Sequence, residues 1–147
     1  ARRHKQLLHP WRLAFYGRHA DFWQVTWDAL VFTLETLGID KPDVRDRLRT
    51  LYLTLDPFPE VTDVLKRLKT AGIRTAILSN GTPKMLNAAV RSANLETLLD
   101  AVLSVEEVGV YKPHPKVCQL AVDRLSVPDF AISFQSSNPL DAYAASA

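Results

Sequence analysis

Several common routes to chemistry are closed by what this sequence lacks. It holds one cysteine, Cys118, so no internal disulfide can form and a reducing cytoplasm is the expected compartment. Its five glycines show no phosphate-loop spacing, which argues against a nucleotide-cradling turn. The four histidines, His4, His9, His19 and His114, have no metal-ligand spacing with Cys118 or with carboxylates. Neither a phosphate-binding loop nor a metal site is therefore expected. No hydrophobic run approaches the length that spans a bilayer, so no membrane partner is expected. The formal net charge is only +2, and basic residues are scattered apart from Arg2, Arg3, His4 and Lys5. That balance argues against a nucleic-acid partner but leaves room for a small anion, which needs only one or two local cations. There is no internal repeat and no low-complexity tract.

What remains is ordinary globular material: 147 residues, 47% hydrophobic and 23% charged, enough apolar surface for a core. The first third reads as helical. Trp23, Trp27, Leu30, Val31, Leu34 and Leu37 form one stripe at helical spacing, and Gly38 supplies a stop. Pro42 opens a second helix carrying Val44, Leu48, Leu51 and Tyr52. The three tryptophans read as core of this helical unit rather than as a cofactor box. Asp56-Pro57-Phe58-Pro59 breaks the pattern. Beyond it, Val61, Val64, Leu65 and Leu68 make a helix face ended by Gly72, and Ile73 to Leu78 suits a buried strand. Thr82-Pro83 starts a helix. Ala101 to Val105 is a second strand, Pro115 opens another helix, and Phe130 to Phe134 is a third strand. Strands alternating with helices predict an α/β fold, a doubly wound, Rossmann-like parallel sheet. Residues 1–55 are expected to form a helical subdomain and residues 56–147 part of the α/β core.

Ligands of open parallel sheets bind beyond the carboxyl ends of the strands. Three polar clusters fall there: Ser79-Asn80-Gly81 after the first strand, Lys112-Pro113 after the second, and Ser136 to Asp141 after the third. Each has a plain structural explanation. The first makes a strand-to-helix turn in which glycine permits positive φ. A single lysine is usually solvated. Asn138, Pro139 and Asp141 make a good helix start, as N-cap, first position and third position. His114 between two prolines reads as a turn or cap residue, and Glu106-Glu107 as a solvated loop. The convergence of all three clusters on one sheet edge favours a site.

Three segments, Ala76-Ile77-Leu78-Ser79-Asn80-Gly81-Thr82-Pro83, Tyr111-Lys112-Pro113-His114-Pro115 and Ser136-Ser137-Asn138 with Asp141, resemble the L-2-haloacid dehalogenases of the haloacid dehalogenase superfamily. Arg3, Lys5, Gln6, Leu7, Trp11, Gly17-Arg18 and Asp21-Phe22-Trp23 resemble the start of that family's inserted helical cap. The resemblance covers essentially the whole chain. It implies a hydrolase, free of cofactor and metal, that converts small L-2-haloalkanoic acids to 2-hydroxy acids with inversion through an aspartyl-ester intermediate. It further implies that Arg3, helped by Asn80, faces the leaving halide. Ser79 and Lys112 would bind the substrate carboxylate and steady the nucleophile. Asp141, oriented by Ser136 and Asn138, would position or activate water, and His4, Leu7, Phe22 and Leu140 would complete the substrate lining. A homodimer is implied as well.

The chain departs from the family pattern in places. The nucleophile segment is absent, and the sequence opens at Ala1-Arg2-Arg3 and stops within what reads as a helix, so both ends are expected to be cut and the piece itself inactive. Loss of the nucleophile strand is expected to leave unpaired backbone and exposed apolar surface. Cys118 stands where a tyrosine is usual and Leu140 where an aromatic is usual. Two alternatives stay open. A Mg-dependent phosphatase of the same superfamily would need a further aspartate where this chain has Ser137. A non-catalytic relative would only bind small carboxylates.

Overall fold

The computed structural model describes residues 21–146, and Arg3, His4 and Leu7 lie outside that range. Asp21 caps helix α1 (Phe22–Thr36), its Oδ1 accepting from the Trp23 N–H at 2.7 Å. The helix ends in a Schellman motif: the Gly38 N–H donates to Glu35 O and the Ile39 N–H to Leu34 O, with Gly38 at φ 67°. That angle is why glycine stands there. Pro42 occupies the first turn of α2 (Pro42–Thr50). The pair is clamped by Arg49, whose guanidinium lies 4.9 Å from the Trp23 ring and 4.8 Å from the Trp27 ring, and by Arg45, 5.6 Å from Trp27. The expected apolar stripe buries Leu30 and Leu34 together with Val25, Thr26 and Ala29, while Leu37 is exposed.

Helix α3 (Val61–Thr70) precedes strand β1 (Ala76–Ser79), helix α4 (Pro83–Ser92) and strand β2 (Ala101–Ser104). The strands are parallel and in step, Ala76 opposite Ala101 and Ser79 opposite Ser104. A clamp below them sets that register: the Thr75 N–H donates to Asp100 Oδ2 at 2.7 Å and the Asp100 N–H to Thr75 O at 2.8 Å. Helices α5 (Pro115–Leu125) and α6 (Pro139–Ala145) follow, with short 3-10 turns at Val105–Glu107 and Asp129–Ala131. The fold is therefore α/β with a parallel sheet. Its core gathers Val105, Tyr111 and Val117, against which Leu78, Val108, Val110 and Phe22 of α1 pack. Among the described residues no helix is long and apolar enough to cross a membrane.

Two expectations need correction. β1 begins at Ala76 rather than Ile73, because the Ile73 N–H closes the end of α3 on Leu68 O. The strand is also only partly covered rather than buried. The third strand, Phe130 to Phe134, is not formed. Its start is the 3-10 turn, and Ile132 is extended (φ −102°, ψ 121°) without joining a ladder. Apolar composition can favour extended backbone, but a strand exists only where a neighbour takes its N–H and C=O groups. Among the described residues the sheet has two strands and offers this segment none.

Candidate active site

Because β1 and β2 end level at Ser79 and Ser104, the loops that leave them open on the same edge of the sheet. The first loop is held tightly. Ser79 Oγ accepts from the Gly81 N–H at 3.1 Å, and Ser104 Oγ donates to Gly81 O at 2.7 Å. A side chain at position 81 would press on Leu86, whose Cδ2 lies 3.0 Å from where a Cβ would stand. Thr82 then caps α4, its Oγ1 accepting from the Met85 N–H at 3.2 Å. The segment is a strand-to-helix turn as expected, but the reason for its glycine differs: Gly81 does not take a positive φ, and it is the close approach of Leu86 that leaves no room for a side chain. The loop's rigidity is what fixes Ser79 and Asn80.

The second loop crosses onto the first. The Lys112 N–H donates to Asn80 Oδ1 at 3.0 Å. The lysine side chain turns back over the strand end, with Nζ 3.4 Å from Leu78 O and 3.0 Å from Asp141 Oδ2. Before it, Tyr111 is 1% exposed, its ring 6.0 Å from that of Phe22. Burial, with Asp21 and Glu106 nearby, pushes its phenol up to about 12. After it, His114 caps α5, with Nδ1 accepting from the Lys116 N–H at 3.2 Å.

The third loop brings the acid. Asn138 is the N-cap of α6, its Oδ1 accepting from the Leu140 N–H at 3.2 Å, and Pro139 opens the helix. That start places Asp141 in the first turn, where the helix dipole favours a carboxylate. The Asn138 N–H donates to Ser136 Oγ at 3.1 Å, and Ser136 Oγ lies 3.4 Å from Asp141 Oδ2.

Lysine and aspartate side chains are only 17% and 10% exposed. Taking two charges out of water costs several kcal/mol per ion before their attraction returns it, so a mostly buried pair at a strand end is poorly explained by stability alone. Cys118 faces the same pair, its Sγ 3.8 Å from Ala144 O. Burial pushes its thiol up, Lys112 pulls it down and Asp141 raises it again.

Ser79, Asn80, Lys112, Ser136, Asn138 and Asp141 thus come together from three loops. Ser79 joins through the strand end and the Gly81 turn rather than by direct contact with Lys112. Phe22 packs on Tyr111, the chain neighbour of Lys112, and Leu140 is 46% exposed beside Asp141. Sequence reading missed Ser104, the buried Tyr111 and the Leu78 carbonyl. Ser104 leaves one faint signal, a polar residue closing an apolar strand; a main-chain carbonyl leaves none. Among the described residues no three His, Cys, Asp or Glu side chains are grouped to hold a metal ion.

Residues 5–141 match the family model of a haloacid dehalogenase-like hydrolase. Over 140 residues, 95% of this chain and 62% of the relative, it is 45% identical to (S)-2-haloacid dehalogenase 1 of Pseudomonas sp. strain CBS-3. It is 46% identical to the (S)-2-haloacid dehalogenase of Pseudomonas sp. strain YL, over 95% of this chain and 61% of that one. Among solved structures, an L-2-haloacid dehalogenase from Xanthobacter autotrophicus with chloropropionic acid covalently bound superposes with TM-score 0.89. That match is 41% identical and covers 99% of this chain and 59% of that one. The chain spans about three fifths of the length of the relatives it matches.

Proposed function

Because the chain belongs to the haloacid dehalogenase-like hydrolases, we propose that it forms the substrate-holding part of an enzyme that dehalogenates small L-2-haloalkanoic acids. The observation that carries this reading is the Lys112–Asp141 pair, mostly buried, 3.0 Å apart and assembled beyond the strand ends by separate loops. The names of the relatives support the substrate class.

The reaction runs in two steps. An aspartate from a segment outside these 147 residues attacks C2 from behind, forming an ester and expelling halide with inversion. Water then adds to the ester carbonyl, returning the aspartate and releasing the 2-hydroxy acid. The Lys112 ammonium holds the substrate carboxylate and offsets its repulsion from the nucleophile, and the Ser79 hydroxyl shares in binding it. Asp141, steadied by Ser136 and the Asn138 cap, orients the water and takes its proton. Arg3, with Asn80, meets the departing halide. His4, Leu7, Phe22 and Leu140 line the substrate. Residues 1–55 act as a cap over the core of residues 56–147, and the parent works as a cytoplasmic homodimer without a cofactor.

The test uses the full-length parent. It is expected to release chloride from L-2-chloropropionate in the presence of EDTA and to yield D-lactate. Magnesium-dependent hydrolysis of a phosphate monoester, with no halide released, would replace this reading with that of a phosphatase. Tight binding of propionate without turnover would leave a carboxylate-binding relative.

A further inference from the structure

We propose that Asn80 is a positioning residue: its carboxamide oxygen holds the main chain of Lys112, and that bond leaves the side chain only a donor to offer the site. The inference rests on the dehalogenase reading for what Lys112 binds, but its geometry stands apart from that reading.

The partner of Asn80 is a main-chain N–H, that of Lys112, at 3.0 Å. An N–H can only donate, so the atom facing it must be the amide oxygen; the usual ambiguity between the two ends of an asparagine is settled by chemistry. With Oδ1 engaged, Nδ2 is the end left to face outward. An anion on that side meets two N–H bonds and no lone pair. The same bond fixes the backbone at the residue whose ammonium spans Leu78 O and Asp141 Oδ2. Lys112 is thus held at both ends, by Asn80 at its root and by Asp141 at its tip. Asn80 itself has little freedom, because Ser79 and Gly81 on either side are tied by the Ser79 Oγ and Ser104 Oγ bonds.

Local sequence makes the bond unusually easy to observe. In Lys112-Pro113-His114-Pro115 only Lys112 and His114 carry amide hydrogens, and the His114 N–H is already bonded to Tyr111 O. Hydrogen exchange across that segment therefore reads the Asn80 bond against a single internal reference.

In the full-length enzyme the Lys112 amide is expected to exchange slowly, and Asn80→Ala to speed it while the His114 amide keeps its rate. Asn80→Ala is also expected to raise KM for L-2-chloropropionate and L-2-bromopropionate by the same factor, about three- to tenfold, the worth of one hydrogen bond. Asn80→Asp keeps an acceptor and should keep the Lys112 amide slow, so it decides the question if the alanine variant does not fold. A freely exchanging Lys112 amide in the unaltered enzyme would overturn the proposal. So would an Asn80→Ala variant whose Lys112 amide exchanges no faster than the parent's and whose loss is confined to kcat, the mark of a side chain that acts on the halide alone and positions nothing. A parent that folds with a protected Lys112 amide and releases no halide would refute the dehalogenase reading and leave the role of Asn80 intact.

Discussion

At position 111 a tyrosine is carried into the core with its hydroxyl attached. Its phenol is pushed up to about 12 from the ordinary 10 by burial and by the acids Asp21 and Glu106. The protonated form is thus favoured in the folded state, and the sign follows. Stability from this group is fully present below pH 10, where folded and unfolded chains both keep the proton, and is lost between pH 10 and 12 as the unfolded chain gives it up first. Tyr111→Phe should flatten that alkaline decline by on the order of 1 kcal/mol between pH 9 and pH 11, measured by urea unfolding at those two values. Lys112, one residue on, presents the opposite problem, a charge that stays. Lys112→Met would leave Asp141 mostly buried without its counter-ion, a loss of about 3–5 kcal/mol, and substrate binding should go with it. Adding Asp141→Asn should recover much of the stability and none of the turnover. That contrast separates the structural from the chemical role of the pair, with thermal melting and halide release as the two readouts.

Three helices of the α/β part begin where their side chains say they should. Thr82, His114 and Asn138 each accept a bond from the first turn of α4, α5 and α6, and a proline follows each of them. Such starts are legible because cap, proline and first turn are neighbours in sequence. α6 depends on its cap most, being the shortest of the three and the bearer of Asp141. Asn138→Ala should cost about 1 kcal/mol, and in the full-length enzyme it should lower turnover more than it weakens substrate binding, since Asp141 is displaced directly while Lys112 loses its partner at the tip and keeps the Asn80 bond at its root. Equal kcat and KM for the variant and its parent would separate the cap from the chemistry. What the sequence hid was everything decided at a distance. Phe130 to Phe134 has the composition of a strand and lacks a neighbour. Lys112 and Asp141 lie in different loops, and residue types alone do not say that they meet. Their connection came from the resemblance of three motifs in order; Asn80 was named there too, but that it fastens one loop to the next, and that Ser104 holds the Gly81 turn, came only from the geometry.

At the scale of the described residues, α1 touches the α/β part through Phe22 on Tyr111, and the later segments leave Phe130 89% and Tyr143 74% exposed. A proposed boundary near residue 55 divides a helical part from a sheet-based one, and the two need not melt together. All three tryptophans, Trp11, Trp23 and Trp27, lie in the first of them, and two of these rings are covered by Arg49. Indole emission from this protein is therefore a report on one half only. When Arg49 lifts away on unfolding, the emission should shift to the red while the sheet half stays silent, and circular dichroism at 222 nm will follow both. Two midpoints in urea, one by each probe, would give the chain two separately folding parts; a single shared midpoint would make it one cooperative body.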